Sequence, residues 1–312
     1  MGNTMFFPWE PSFIMALQSV MGPALTWLMS LITNFGEELI LIIVMGFIYW
    51  CYDKELGKRA GTNIVLCVVL NPLLKNVVMR RRPYMDHPGI RCLKATDSTA
   101  DIYNVTAQGY SFPSGHAMNS TTIYGSIARY EKSGKALQIG ACVLTFVVGL
   151  SRVMLGVHYP TDVFVGWAVG LMIIFLVPWL QKKIRNRWLF HLLLVLLSCS
   201  GIFYCHTNDY YSALGLMIGF FLAIPFEERF VRFKSVDLNG AKSILWCFLR
   251  ILGGGLIYYV LNTVLKLPFS KSFLESQTAS AFLVRTIRYS IVTFIAIGVY
   301  PMIFKYVEKV KS

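Results

Sequence analysis

Long uncharged apolar runs separated by short polar joints make up almost the whole chain. No charged side chain falls between Glu10 and Glu37, a stretch longer than the roughly 20 residues that carry a helix across a bilayer core. Comparable runs occupy residues 60–79, broken only by Lys75, then 136–155, 163–180, 188–204, 210–226, 243–265 and 289–304. Two weaker runs, the short 39–52 and the more polar 115–128, are counted because their neighbours demand a crossing. The pattern predicts ten helices in an all-α, polytopic membrane bundle. No basic segment precedes the first run and no small-residue cleavage site follows it, so it is expected to be retained as a span. The joints are short except for 80–114. Every chemical motif lies before Pro178, so residues 1–180 are expected to form a six-helix core. Residues 181–312 are expected to form four further transmembrane helices without a motif.

Composition agrees with the pattern. The chain is 55% apolar and only 14% charged, against about 25% charged in soluble domains, which excludes a water-soluble globule and, more firmly, a disordered chain. The 29 Lys+Arg against 16 Asp+Glu leave +13. In a soluble protein that surplus would suggest nucleic acid; here its positions argue otherwise. Of the 29 basic residues, 17 fall in alternate joints: Lys54, Lys58 and Arg59; Arg129, Lys132 and Lys135; Lys182, Lys183, Arg185 and Arg187; Arg229, Arg232, Lys234 and Lys242; and Lys305, Lys309 and Lys311. The positive-inside rule therefore expects both termini on the cytoplasmic side and the long joint 80–114 on the other. Five basic residues in that joint break the rule and need another explanation.

Three clusters carry candidate chemistry. Lys75 is an ionised residue in an apolar span, which is functional by default, and Arg82 with Pro83 follows seven residues later. That spacing is near two helical turns and predicts that both cations share one helix face, repelling unless an anion lies between them. Next, Ser114 is a natural N-cap, Gly115 would let an anion approach the backbone, and His116 would offer a proton to a leaving oxygen. Last, Ser151 and Arg152 close an outer helix end. His158 comes next, four residues before Asp162, which would accept a hydrogen bond from one ring nitrogen and leave the other as a nucleophile. Each cluster alone has a plain structural reading, as snorkelling cations, a capped helix or a surface histidine. All three fall on one side by the charge argument, and Asp162 is the only nearby carboxylate with an evident role. A single carboxylate does not build a hard-metal cage, so no metal and no cofactor is expected.

These residues carry a resemblance. Lys75 with Arg82 and Pro83, then Ser114, Gly115 and His116, then Ser151 and Arg152 with His158 and Asp162, match the three-part signature of the type-2 phosphatidic acid phosphatase superfamily over roughly residues 13–180. The resemblance implies a metal-independent phosphatase acting through a phosphohistidine. His158 would be the nucleophile, Asp162 its orienting partner and His116 the acid, with Lys75, Arg82, Ser114, Gly115 and Arg152 holding the phosphoryl oxygens. Phe35, Gly36, Glu37 and Glu38, followed by Ile48, Tyr49, Trp50 and Asp53, look like sphingosine-1-phosphate phosphatases. The run from Ser114 to Met118 and the helices beyond the core look like glucose-6-phosphatase. The expected partner is a phosphorylated lipid or another small phosphate ester, not nucleic acid. The alternatives are a soluble sugar phosphate such as glucose 6-phosphate, or a protein that binds or transports a lipid phosphate without hydrolysis. Arg80, Arg81, Arg91 and Lys94 either steer an anionic head group or form a solvated loop face.

Overall fold

The structure, a computed structural model, describes residues 2–130, 134–238, 240 and 242–304. All ten expected runs are helical. Between the short joints lie α1 (Trp9–Ser19), α2 (Pro23–Thr33), α3 (Glu38–Phe47, ending in a π turn Ile48–Tyr52), α4 (Lys54–Val78), and the single-turn α5 (Pro83–Asp86) and α6 (Val105–Gln108). Then come α7 (Gly115–Tyr130), α8 (Lys135–Met154), α9 (Pro160–Lys183), α10 (Arg187–Ser198), α11 (Asn208–Phe226), α12 (Ser243–Val264), α13 (Lys271–Glu275) and α14 (Ala279–Phe294). Among the described residues, five helices are long and apolar enough to cross a membrane: α4, α8, α9, α12, and α14 with its continuation to Phe304. Of the basic joint residues, Lys132, Lys305, Lys309 and Lys311 lie outside the described residues.

The first run departs from expectation. Residues 10–37 are not one straight helix but α1 and α2, 11 residues each, meeting at a bend of 118°. Helix α1 stops at Val20, and Gly22, in extended conformation, precedes Pro23 at the first position of α2. Proline suits a helix start and interrupts a helix interior. An 11-residue helix is about 16 Å long, half the depth of a bilayer core.

The chain forms two compact units. One comprises Met1–Leu41 and Leu70–Trp179, the other Ile42–Val69 and Leu180–Ser312, so α3, α4 and α9 each contribute to both. In the first unit, glycines let helices approach closely. A Cβ at Gly166 of α9 would stand 2.9 Å from the Ser114 carbonyl oxygen, and one at Gly170 would stand 2.7 Å from Thr121 Cβ. The start of α9 is thereby held to the start of α7, where the Ser114 amide donates to the Asp162 carbonyl at 3.0 Å. In the second unit, α11 lies as tightly on α14 through Gly215 and Gly219, and Ser290 Oγ donates to the Gly215 carbonyl at 3.0 Å.

Candidate active site

The site grows from the turn that ends α8. Gly156 takes the left-handed conformation (φ 76°), and a Cβ there would fall 2.2 Å from the Arg91 carbonyl, so the turn requires glycine. The chain then reverses through Val157 and His158 into α9. His158 is buried, with Nδ1 3.5 Å from Asp162 Oδ2 and 3.4 Å from Ser111 Oγ. Asp162, one helical turn along, is buried and also accepts from the Tyr159 amide at 2.8 Å and from the Ser111 hydroxyl. Burial first, then the positive charges of Arg82, Arg152 and Lys75, hold the His158 imidazole well below its ordinary pKa. A neutral imidazole whose Nδ1 faces a carboxylate presents Nε2 as a lone pair.

Asp162 is held in turn by residues that the sequence left unassigned. Arg80 is buried, not part of a solvated loop face. Its Nη1 donates to Asp162 Oδ1 at 2.8 Å and to Thr161 Oγ1 at 2.7 Å, and its Nη2 to Glu10 Oε2 at 2.6 Å. Glu10 also accepts from the Thr161 amide at 3.0 Å and hydroxyl at 2.6 Å, and from the Phe7 amide at 2.9 Å. The guanidinium lies 3.9 Å above the Tyr159 ring. Glu10 was legible as the one carboxylate opening a long uncharged run, an expensive place for a charge without a purpose. Arg80 was hidden within three consecutive arginines, and Ser111 carried no signal. Lys94 of the same joint donates to the Ser30 carbonyl of α2 at 3.2 Å and to Glu37 Oε1 just beyond it at 2.8 Å, and Arg91 Nη2 donates to the Gln18 carbonyl at 2.8 Å.

The cradle residues converge from four elements. Arg152, in the last turn of α8, is buried and donates through Nη1 to Thr33 Oγ1 at 3.0 Å, while its Nε has no partner. His116 opens α7; its Nε2 is buried without a partner, and it lies within electrostatic reach of Arg152, His158, Lys75 and Arg82. Gly36 makes room for it, since a Cβ there would stand 3.0 Å from His116 Cβ. Ser114 is buried and accepts from the Ala117 amide at 3.4 Å, as a cap does; Gly115 begins the helix beside Asn71. Arg82 is buried and donates to the carbonyls of Gln108 (2.7 and 3.0 Å), Gly109 (3.1 Å) and Val157 (2.9 Å), which leaves one N–H on each terminal nitrogen.

One expectation about this cradle fails. Lys75 and Arg82 do not share a helix face, because α4 ends at Val78 and Met79 turns left-handed (φ 53°). Arg82 sits in extended conformation before α5, so the loop and not the helix delivers it. The chemistry of the set is nonetheless consistent. Among the buried groups Arg80, Arg82 and Arg152 stand against Glu10 and Asp162, and Lys75, half-buried, adds its field to theirs around two imidazoles. A cationic site of that kind, with His116 Nε2 and Arg152 Nε lacking partners, suits an anion.

Comparison with known proteins bears on the family. Residues 57–186 match the family model described as PAP2 superfamily, and residues 211–311 match that of the PAP2 superfamily phosphatase, transmembrane extension. The chain is 32% identical to phosphatidylglycerophosphatase B of Bacillus subtilis over 53% of its own length and 79% of that protein. It is 30% identical to undecaprenyl-diphosphatase of Sulfolobus acidocaldarius over 49% and 68%. It is 32% identical to decaprenylphosphoryl-5-phosphoribose phosphatase of Mycobacterium tuberculosis over 45% and 71%.

Proposed function

The chain belongs to the PAP2 superfamily, and from that membership we propose that it hydrolyses a lipid phosphate monoester through a phosphohistidine, without a metal, on the extracytoplasmic side. It is a membrane phosphatase of that family, a phosphoric monoester hydrolase. The observation that carries the finer reading is the convergence of the buried Arg82 and Arg152, with Lys75, on His158 and His116. It complements a phosphate dianion. Arg152, Lys75, Arg82, the Ser114 hydroxyl and the Gly115 amide bind the phosphoryl oxygens. His158 Nε2 attacks phosphorus, and the bond to the ester oxygen breaks as His116 delivers its proton to the departing alkoxide. Water then attacks the phosphohistidine and gives its proton to the now neutral His116; the O–P bond forms as the N–P bond breaks, releasing inorganic phosphate and restoring neutral His158 and protonated His116. Asp162, fixed by Arg80, holds Nδ1–H throughout.

Two further lines support the substrate and the side. The names of the three relatives all refer to lipid-linked phosphates. In α4, α7, α8 and α9 the site residues occupy one end and Lys54, Arg129, Lys135 and Lys182 the other, as the positive-inside rule requires of an outward site. The test is phosphate release by purified protein from a panel of lipid and sugar phosphates, with and without a chelator. Release from lipid phosphates, unaffected by chelator, is expected. Preference for sugar phosphates, chelator sensitivity, or binding without release would each overturn part of the proposal.

A further inference from the structure

We infer that residues 3–37 do not cross the membrane: α1 and α2 form an in-plane element seated in the lipid interface on the same side as the catalytic histidines. The inference rests on the membrane assignment but not on hydrolysis. Its first support is connectivity within the first unit. The segment starts at the site end, where Asn3 forms a parallel bridge with Arg80, accepting from the Arg81 amide at 2.9 Å and donating to the Met79 carbonyl at 2.8 Å. It stays there: Glu10 engages Arg80 and Thr161, and Gln18 donates to the Arg91 and Met154 carbonyls at 2.8 and 3.2 Å. It also finishes there, with Thr33 on Arg152, Gly36 against His116 and Glu37 on Lys94. Arg80 follows the end of α4, Met154 ends α8, Thr161 begins α9 and His116 begins α7. A segment that begins and ends at one end of an antiparallel helix set has not crossed.

The second support is its surface. Trp9, Phe13, Met15, Val20, Trp27 and Leu31 are exposed, Val20 and Trp27 by about two thirds, and no charge falls between Glu10 and Glu37. Water would not tolerate so continuous an apolar face, whereas the boundary between head groups and acyl chains accommodates it and favours tryptophan. The occupant of that face is therefore lipid. The inner side of the same element supplies Glu10 and Thr33 to the site, so the site's wall and its membrane contact are one piece of chain. For residues 2–7 this replaces the expectation of a cytoplasmic start.

The experiment is labelling by a membrane-impermeant maleimide in vesicles of uniform orientation, with the modified peptide identified by mass so that native cysteines do not interfere. Thr4→Cys should label from the same side as Ser98→Cys in the long joint and be protected on the side that labels Arg185→Cys. Labelling with Arg185→Cys, or no labelling from the Ser98→Cys side, overturns the inference. As a second reading, the fluorescence lost in Trp27→Phe should be quenched most by lipids brominated near the head group. Strongest quenching by bromine at the acyl terminus would mean a buried crossing and also overturns it. Neither readout depends on turnover, so failure here leaves the proposed chemistry to its own test.

Discussion

In the unit of Met1–Leu41 and Leu70–Trp179, buried charges gather at one helix end around two imidazoles. In the unit of Ile42–Val69 and Leu180–Ser312, they are spent on one another and on main-chain carbonyls. There Lys54 Nζ donates to Glu227 Oε1 at 3.0 Å and to the Phe233 carbonyl at 3.1 Å, and Lys58 meets Glu228 at 2.8 Å. Arg250 donates to the Trp50 and Lys234 carbonyls above the Phe304 ring, and His191 stacks on Phe221 at 4.1 Å. An ionisable group within a membrane helix is thus no sufficient mark of chemistry. What separates the units is convergence: the second disperses its cations over carboxylates, carbonyls and rings, while the first gathers Arg82, Arg152 and the unpartnered His116 Nε2 and Arg152 Nε about His158.

That contrast breaks most visibly at His158. His158→Ala should abolish turnover with folding and membrane insertion retained; full activity in that variant removes the mechanism. Arg80→Met comes next. It strands Glu10 and Asp162 as buried carboxylates, at a cost of about 3–5 kcal/mol, and kcat should fall by about 10²-fold as His158 loses its orienting partner. An unchanged kcat in the folded fraction would make Arg80 purely structural. On the other side of the comparison, Glu227→Gln should lower stability by about 1–3 kcal/mol and leave kcat per folded molecule intact. A selective loss of kcat would show that the second unit takes part in the chemistry.

Acid sharpens the same line. A depressed His158 pKa means the nucleophile stays neutral as pH falls through about 6.5, the ordinary histidine value, and is lost only below it. His116 must be protonated to act, so kcat/KM should be bell-shaped with its acid limb below that value; a monotonic profile, or an acid limb above it, contradicts these roles. The smallest effect is expected at Arg187, whose pairing with Glu228 is half exposed. Arg187→Gln should cost no more than about 1 kcal/mol in a thermal or denaturant melt.

The helices, the membrane class and the approach of His158 to Asp162 were legible because each rests on local pattern: uncharged length, a cap before a helix, a four-residue offset. The bend at Gly22 and Pro23 was equally local but was outweighed by the missing charge on either side. What stayed hidden is non-local. Arg80 reaches Asp162 across 82 positions and Glu10 across 70, and spacing carries no information about such pairs. The placement of Arg82 failed for a related reason: helical periodicity was extended through Met79, where the backbone turns left-handed to meet Asn3.

The central claim is that phosphorus passes through His158 on its way to water. The stereochemical course tests it directly, using a lipid thiophosphate made chiral with oxygen isotopes and hydrolysed in isotopically labelled water. Two successive in-line displacements, by His158 and then by water, predict net retention of configuration in the released thiophosphate. Inversion would mean that water attacks the ester itself and would contradict the account.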